Sequence, residues 1–145
     1  MNAIVRFVFI LNIFLLIGCA VQSAKQLTSR VENFEYQGYG DTIVSMLFGS
    51  VYELKAGSEK DLVPLQHVII KVEQDSLQVQ TDSAGKFVIA LPEGVYALKV
   101  SKKGYQSICL RNYVSHSDRV SLTSIILVKG KDQQDFIIPP SSSQQ

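Results

Sequence analysis

Between residues 45 and 128 the sequence repeats one pattern, in which short runs of alternating apolar and polar residues are separated by turn signals. Alternation with a period of two places successive side chains on opposite faces of a strand, so each run predicts a strand with one buried face. Seven strands and no helix are predicted in this way. Many short strands between turns are typical of a sandwich, so we predict an all-β fold, a seven-stranded Greek-key β-sandwich.

The same alternation predicts which side chains form the core. The last two strands are predicted over residues 107–114 and 119–128. In the earlier strands the apolar positions that share one face are Leu47, Gly49 and Val51; Val68, Ile70 and Val72; Leu77 and Val79; Phe87, Ile89 and Leu91; and Tyr96, Leu98 and Val100.

Three turns are predicted between these strands. In Asp82-Ser83-Ala84-Gly85 the aspartate caps the loop and the glycine supplies a positive φ. Residues 92–94, Pro-Glu-Gly, and residues 102–105, Lys-Lys-Gly-Tyr, reverse the chain again.

The first eighteen residues have the three parts of a secretory signal: an early cation, Arg6, a short apolar run from Phe7 to Ile17, and the small residue Gly18. The run is shorter than the about 20 apolar residues that a membrane-spanning helix needs. Leu16-Ile17-Gly18-Cys19 resembles the bacterial lipobox, with Ile17 bulkier than the usual residue. The resemblance implies cleavage before Cys19, a thioether-linked diacylglycerol on its sulfur, and acylation of its new amine, as with palmitate. Several acyl chains together anchor a protein stably.

These features predict four segments: a signal peptide over 1–18, a lipid anchor and tether over 19–42, a β-sandwich over 43–130 and a disordered tail over 131–145. The stretch after Cys19 has no acidic run and no adjacent Asp, which favours the outer membrane facing the periplasm. Lipidation of Cys19 leaves Cys109 without a disulfide partner. Because it lies within a predicted strand, we expect Cys109 to be an unreactive core residue.

Several motifs resemble the carboxypeptidase regulatory-like, or transthyretin-like (prealbumin-like), domain. They include Thr81-Asp82-x-x-Gly85-x-Phe87 and Pro92-x-Gly94-x-Tyr96, followed by Gly104-Tyr105. The resemblance covers a little over half of the chain. It implies a sandwich in which Phe87 and Tyr96 fill the interior, the Tyr96 hydroxyl reaches a partner at the rim and Tyr105 closes one end. It implies an accessory role beside enzymes, transporters or surface proteins and no activity of its own.

Catalytic and metal sites are not expected, and neither are cofactors. His67 and His116 begin one strand and end another and lack the spacing of a zinc site. Asp82, Ser83 and Glu93 supply too few oxygens for calcium.

A Lys–Asn isopeptide between Lys71 and Asn112 lacks its acidic promoter, because Val100 and Ser101 stand where that residue belongs.

Charge excludes one class of partner. Arg6 is the only charge in the first eighteen residues, and 14 Lys and Arg stand against 13 Asp and Glu in the whole chain, so the mature chain has no formal net charge. Nucleic-acid binding needs clustered positive charge and is not predicted.

Two non-enzymatic functions remain: a binding or scaffold lipoprotein that engages an envelope protein or a glycan, and a structural or accessory subunit of an adhesin or transporter assembly. Tyr36, Tyr39 and Tyr113 exposed on one surface would favour glycan binding. An open strand edge with an apolar patch would favour protein docking.

Overall fold

The computed structural model describes residues 27–38, 44–55, 58, 60–117 and 119–139. These residues form ten strands and none of them is helical. The strands are β1 (Arg30–Gly38), β2 (Ser45–Leu54), β3 (Leu62–Pro64), β4 (Ile69–Val72), β5 (Gln78–Gln80), β6 (Lys86–Leu91), β7 (Gly94–Ser101), β8 (Ser107–Ser115), β9 (Arg119–Leu127) and β10 (Gln133–Ile137).

The strands form two five-stranded sheets. Sheet A has the order β1-β9-β2, and both β3 and β6 pair with the far side of β2. Sheet B has the order β10-β8-β7-β4-β5. The pairs β2–β9 and β10–β8 are parallel, and the other pairs are antiparallel.

The inner faces of the two sheets pack against each other and form one apolar core. The predicted alternation is confirmed in β2, β4 and β6, where buried inward residues alternate with partly or fully exposed outward ones. In β7 it holds except at Ala97, an outward residue that is also buried. Both sheets contribute core residues whose side chains are fully enclosed, among them Leu47, Ile70, Ile89, Leu98, Leu110 and Ile125. An all-β sandwich is therefore the architecture of this domain.

The structure has ten strands where seven were predicted. β1 lies in the segment that was predicted as a tether, and β10 lies in the predicted disordered tail. Both are edge strands with many exposed polar residues, so their sequences show little of the apolar alternation that marks a half-buried strand. Pairing with β9 and β8, far away in sequence, is what orders them. β3 is only three residues long.

One predicted core position is wrong. Leu77 is 36% exposed and precedes β5, which contains only Gln78–Gln80. Val79 is partly buried and packs against the core. β5 is an edge strand, so Leu77 lies at the rim, where the second sheet does not cover it.

Ser29 fastens the start of β1 to the rest of the sandwich. Its backbone N–H donates to Gln106 Oε1 at 3.0 Å, and its hydroxyl donates to the Gln106 carbonyl at 3.1 Å. The same hydroxyl accepts from the Val128 N–H at 2.8 Å. All three hydrogen bonds span more than seventy residues of sequence, so the chain preceding β1 leaves the domain from a fixed point. Among the described residues no helix is long and apolar enough to span a membrane.

Candidate functional site

The outer face of sheet A carries a group of exposed apolar side chains. Met46, Phe48 and Val88 are 40%, 37% and 48% exposed. They lie on β2 and β6, whose register pairs Phe48 with Val88. On the other side of β2, Val120 and Leu122 of β9 pair with Met46 and Phe48 and are partly buried. We call these five residues the apolar face.

The apolar face forms because β2, β6 and β9 have apolar residues at outward as well as inward positions. A sheet with one solvated face normally carries polar residues at the outward positions. Phe48, Val88 and Leu122 instead line a shallow groove of about 380 Å³, together with the polar side chains of Ser50 and Lys86. The groove crosses the three strands β2, β6 and β9.

Charged side chains flank the apolar face on its two sides. Glu35 of β1 pairs with Leu122, and Lys86 of β6 pairs with Ser50. Both are exposed. The face is therefore apolar at its centre, acidic on the β1 side and basic on the β6 side, which is the pattern of a protein interface with a polar rim.

The outer face of sheet B is different. Lys71, Lys99, Arg111 and Asp135 project from β4, β7, β8 and β10, and Arg111 Nε lies 3.2 Å from Asp135 Oδ2. The most exposed apolar side chains of sheet B, Val95 and Ile137, lie on β7 and β10, which are not neighbouring strands. Among the described residues, the group of adjacent exposed apolar side chains that marks interaction sites therefore lies on sheet A.

The tyrosines that would have favoured glycan binding do not form a platform. Tyr113 is fully buried. Tyr36 is partly buried beside Phe34 with ring centroids 5.2 Å apart, and its hydroxyl accepts from the Val114 N–H at 3.4 Å. Burial is the main cause that raises the pKa of Tyr36. Tyr39 lies outside the described residues.

The two histidines lie at opposite ends of sheet B. His67 precedes β4, whose first residue, Ile69, pairs with Ser101 at the end of β7. His116 follows Ser115, which pairs with Gly94 at the start of β7. The eight residues of β7 separate the two ends by about 25 Å at the usual rise per residue. They therefore do not form one site, and the described residues contain no group of three or more metal-ligating side chains.

Cys19, the predicted lipidation site, lies outside the described residues. Cys109 is fully buried, as predicted, although it is not part of the cluster that packs between the two sheets. Because Ile108 and Leu110 point inward, Cys109 lies on the outer face of sheet B, paired with Lys99 and Asp135. Burial is the largest cause that raises the pKa of the thiol, with Glu73 adding to it. A protonated, enclosed thiol is a poor nucleophile.

The loop residues have structural roles. Asp82 Oδ1 accepts from the backbone N–H groups of Ala84 and Lys86 at 2.9 and 2.8 Å, and Gly85 has φ 72°, as the turn prediction required. Glu93 lies beyond the opposite end of β6 and accepts from the Ser117 hydroxyl at 2.9 Å. Asp82 and Glu93 are therefore not brought together around a cation.

Lys71 and Asn112, between which no isopeptide was expected, lie on strands that are not neighbours. Lys71 of β4 pairs with Lys99 of β7, which in turn pairs with Cys109 of β8. Asn112 lies further along β8, with a positive φ of 61°. β7 therefore separates Lys71 and Asn112.

The comparisons with known proteins give no family. No family model matches the chain, and no curated protein matches it. The structure is similar to a chain in a crystal structure of a type II cohesin–X-dockerin complex, an N-terminal interface mutant, from Acetivibrio cellulolyticus. The identity is 18% and the TM-score 0.49, with 61% of this chain and 60% of that chain covered. The chain thus spans about 60% of that protein's length, and a likeness this distant carries no functional argument.

Proposed function

We propose that this chain is a lipid-anchored protein of the bacterial cell envelope whose β-sandwich is a non-catalytic protein-docking module. The observation that carries the proposal is the apolar face of sheet A, with Met46, Phe48 and Val88 exposed side by side. Exposed apolar groups lose contact with water when a protein surface covers them, which contributes about 25 cal/mol per Å² of apolar area buried, before the entropic cost of association is subtracted.

The geometry favours protein docking over glycan binding. Sugar recognition would need flat aromatic rings open to solvent, and Tyr113 is enclosed while Tyr36 is partly buried. The apolar face contains a single aromatic side chain, Phe48. A structural or accessory subunit of an adhesin or transporter assembly is a special case of the same proposal, since it would use the same face.

The lipid anchor, its attachment to the outer membrane facing the periplasm and the carboxypeptidase regulatory-like Greek-key relationship are parts of this proposal that rest on the sequence motifs. The hydrogen bonds of Ser29 support the anchor, because they fix the point at which the chain coming from Cys19 enters the domain. Nine residues separate Cys19 from Ser29 in the sequence, and nine residues span at most about 30 Å. Labelled fatty acid should be incorporated into the wild-type protein and lost in Cys19→Ser. Equal labelling of the two proteins would refute the anchor.

The docking face can be tested in cells of the native host. A photo-crosslinking amino acid placed at Phe48 should give a protein adduct that mass spectrometry identifies. The same amino acid placed at Lys71, exposed on the outer face of sheet B, is the matched control and should give none. Absence of an adduct at position 48 would contradict the docking function. So would a hydrolase activity of the purified protein that His67→Ala or His116→Ala abolishes.

A further inference from the structure

We infer that the partner on the apolar face is a second copy of this chain, related to the first by a two-fold axis parallel to the strands of sheet A. This inference rests on the proposed docking function and names its partner. The arrangement stacks two sheets face to face, at the spacing of about 10 Å that packed sheets adopt. Three features of the domain support this partner and this axis.

The first feature is the position of the apolar residues on the face. The face crosses β9, β2 and β6 and has its apolar residues at its centre. In a two-fold interface each surface patch meets its own copy, so the patch must be self-complementary. An apolar centre satisfies this requirement, because Phe48 and Leu122 near the middle of the face lie against the same residues of the second copy.

The second feature is the charge on the two sides. Across the face the strands run β1, β9, β2 and β6. A two-fold axis parallel to the strands lays β6 of one copy over β1 of the other, so Lys86 of each copy meets Glu35 of the other. Glu35 and Val88 lie at the same height along the strands of sheet A, and Lys86 precedes Val88 by two residues on β6. The offset along the strands is about 7 Å, which these two long side chains can span. The contact occurs twice in the dimer.

The third feature is the point where the tether leaves the domain. β1 begins at Arg30, opposite Ile126 near the end of β9, and the chain enters it through Ser29. An axis parallel to the strands leaves both entry points at the same end of the dimer, so both lipid anchors reach one bilayer. An axis in the same plane but perpendicular to the strands would place the anchors at opposite ends. It would also lay β1 over β1 and β6 over β6, with like charges together.

The position of the interface can be tested by crosslinking the full chain, purified in a mild detergent. Phe48→Cys, treated with a short bis-maleimide, should give a covalent dimer, since the two copies of position 48 lie on either side of the axis. Val95→Cys on β7, which is 63% exposed, is the matched control and should stay monomeric. The wild type tests the contribution of the two native cysteines, Cys19 and the buried Cys109.

The charge pairing can be tested by sedimentation velocity of the same preparation. Lys86→Glu and Glu35→Lys should each raise the dimer dissociation constant about tenfold, because each change turns two attractions at the rim into repulsions. The double variant with both changes should restore the wild-type constant. Lys71→Glu on the outer face of sheet B has the same change in charge and should leave the constant unaltered.

The outcomes separate this inference from the proposed function. A monomeric wild type whose photo-crosslinker at position 48 captures a different protein would overturn self-pairing and leave the docking function standing. A dimer that Phe48→Glu leaves intact, or that the double charge variant does not restore, would also overturn the inference. Neither a dimer nor any adduct at position 48 would overturn both. The inference would be established by a dimer that Phe48→Cys crosslinks, that each single charge variant weakens and that the double charge variant restores.

Discussion

Gly49 on β2 lies directly beneath the ring of Phe87 on β6. A Cβ built on Gly49 would be 2.1 Å from two carbons of the Phe87 ring, which is far inside van der Waals contact. The two residues pair across the antiparallel strands, and both face the core. The missing side chain of Gly49 is therefore part of how the large ring fits between the sheets.

Gly49→Ala should lower the free energy of unfolding by about 2 kcal/mol, because overpacking a dense core forces side chains or backbone to shift. Urea denaturation monitored by circular dichroism measures the change. The matched test is Gly49→Ala combined with Phe87→Leu, in which the smaller side chain makes room for the new methyl group. The double variant should lose less stability than the two single losses together; strict additivity would show that the ring and the glycine do not constrain each other.

Thr81 joins two backbone groups inside the sandwich. Its hydroxyl donates to the Leu65 carbonyl at 2.7 Å and accepts from the Val68 N–H at 2.9 Å, and the residue is buried. Thr81→Val keeps the shape but leaves both groups unpaired, so it should cost about 2–4 kcal/mol of unfolding free energy. Thr123→Val is the comparison, since the Thr123 hydroxyl donates one hydrogen bond, to the Asn33 carbonyl at 2.9 Å. It should cost about half as much. Equal losses in chemical denaturation would argue against the double role of Thr81.

Ser121 presents the opposite case. Its hydroxyl is buried on the inner side of β9 and has no hydrogen-bond partner among the described residues. Ser121→Ala removes a polar group that has lost its water, so stability should be unchanged or rise by up to about 1 kcal/mol. Ser45→Ala is the control, because the Ser45 hydroxyl donates to the Arg119 carbonyl at 3.0 Å. That variant should lose about 1 kcal/mol. Thermal unfolding ranks the two variants, and a clear loss in Ser121→Ala would mean that its hydroxyl is bonded after all.

The Tyr105 hydroxyl donates a hydrogen bond to the Glu53 carboxylate. Burial and this bond raise the pKa of Tyr105 from 10.0 to about 12. Because the folded state holds the proton more tightly than the unfolded chain, the stabilisation is complete below pH 10 and is lost as the pH rises from 10 to about 12. Stability of the wild type should therefore fall more steeply in this window than that of Tyr105→Phe.

Ultraviolet titration of tyrosinate reports the same group. The difference between the wild type and Tyr105→Phe isolates Tyr105 from the other tyrosines. Glu53→Gln should move its titration toward lower pH, because the negative charge and the strong acceptor are both removed. Identical curves for the wild type and Glu53→Gln would rule out control by Glu53.

The sequence predicted those strands that have one apolar face and one polar face. In β4 and β6 the alternation of apolar and polar residues is set by the local chain, and the structure confirms both. The turn at Asp82 and Gly85 was also predictable, since its hydrogen bonds and its positive φ involve only neighbouring residues. The bond from the Tyr96 hydroxyl to the Pro92 carbonyl at 3.1 Å confirms the expected rim contact.

The candidate site was only partly predictable. Met46 and Phe48 stand at outward positions of a strand whose inward positions were identified correctly, so two apolar residues on the wrong face were a usable signal. Alternation cannot say that these residues lie beside Val88 and Leu122. That neighbourhood depends on which strands pair with β2, and the parallel pairing with β9 joins residues more than seventy positions apart.

The sequence by itself determined the all-β character, the turns and the inward face of the main strands, because each depends on residues within a few positions of one another. Only the tertiary structure decided that β1 and β10 are strands, that Tyr113 is buried, that His67 and His116 lie at opposite ends, and that an apolar face remains open on sheet A. These features arise from pairing between distant segments. Hydrogen bonding to a neighbouring strand and cover from a second sheet are properties of the assembled sandwich, and no short stretch of the chain encodes them alone.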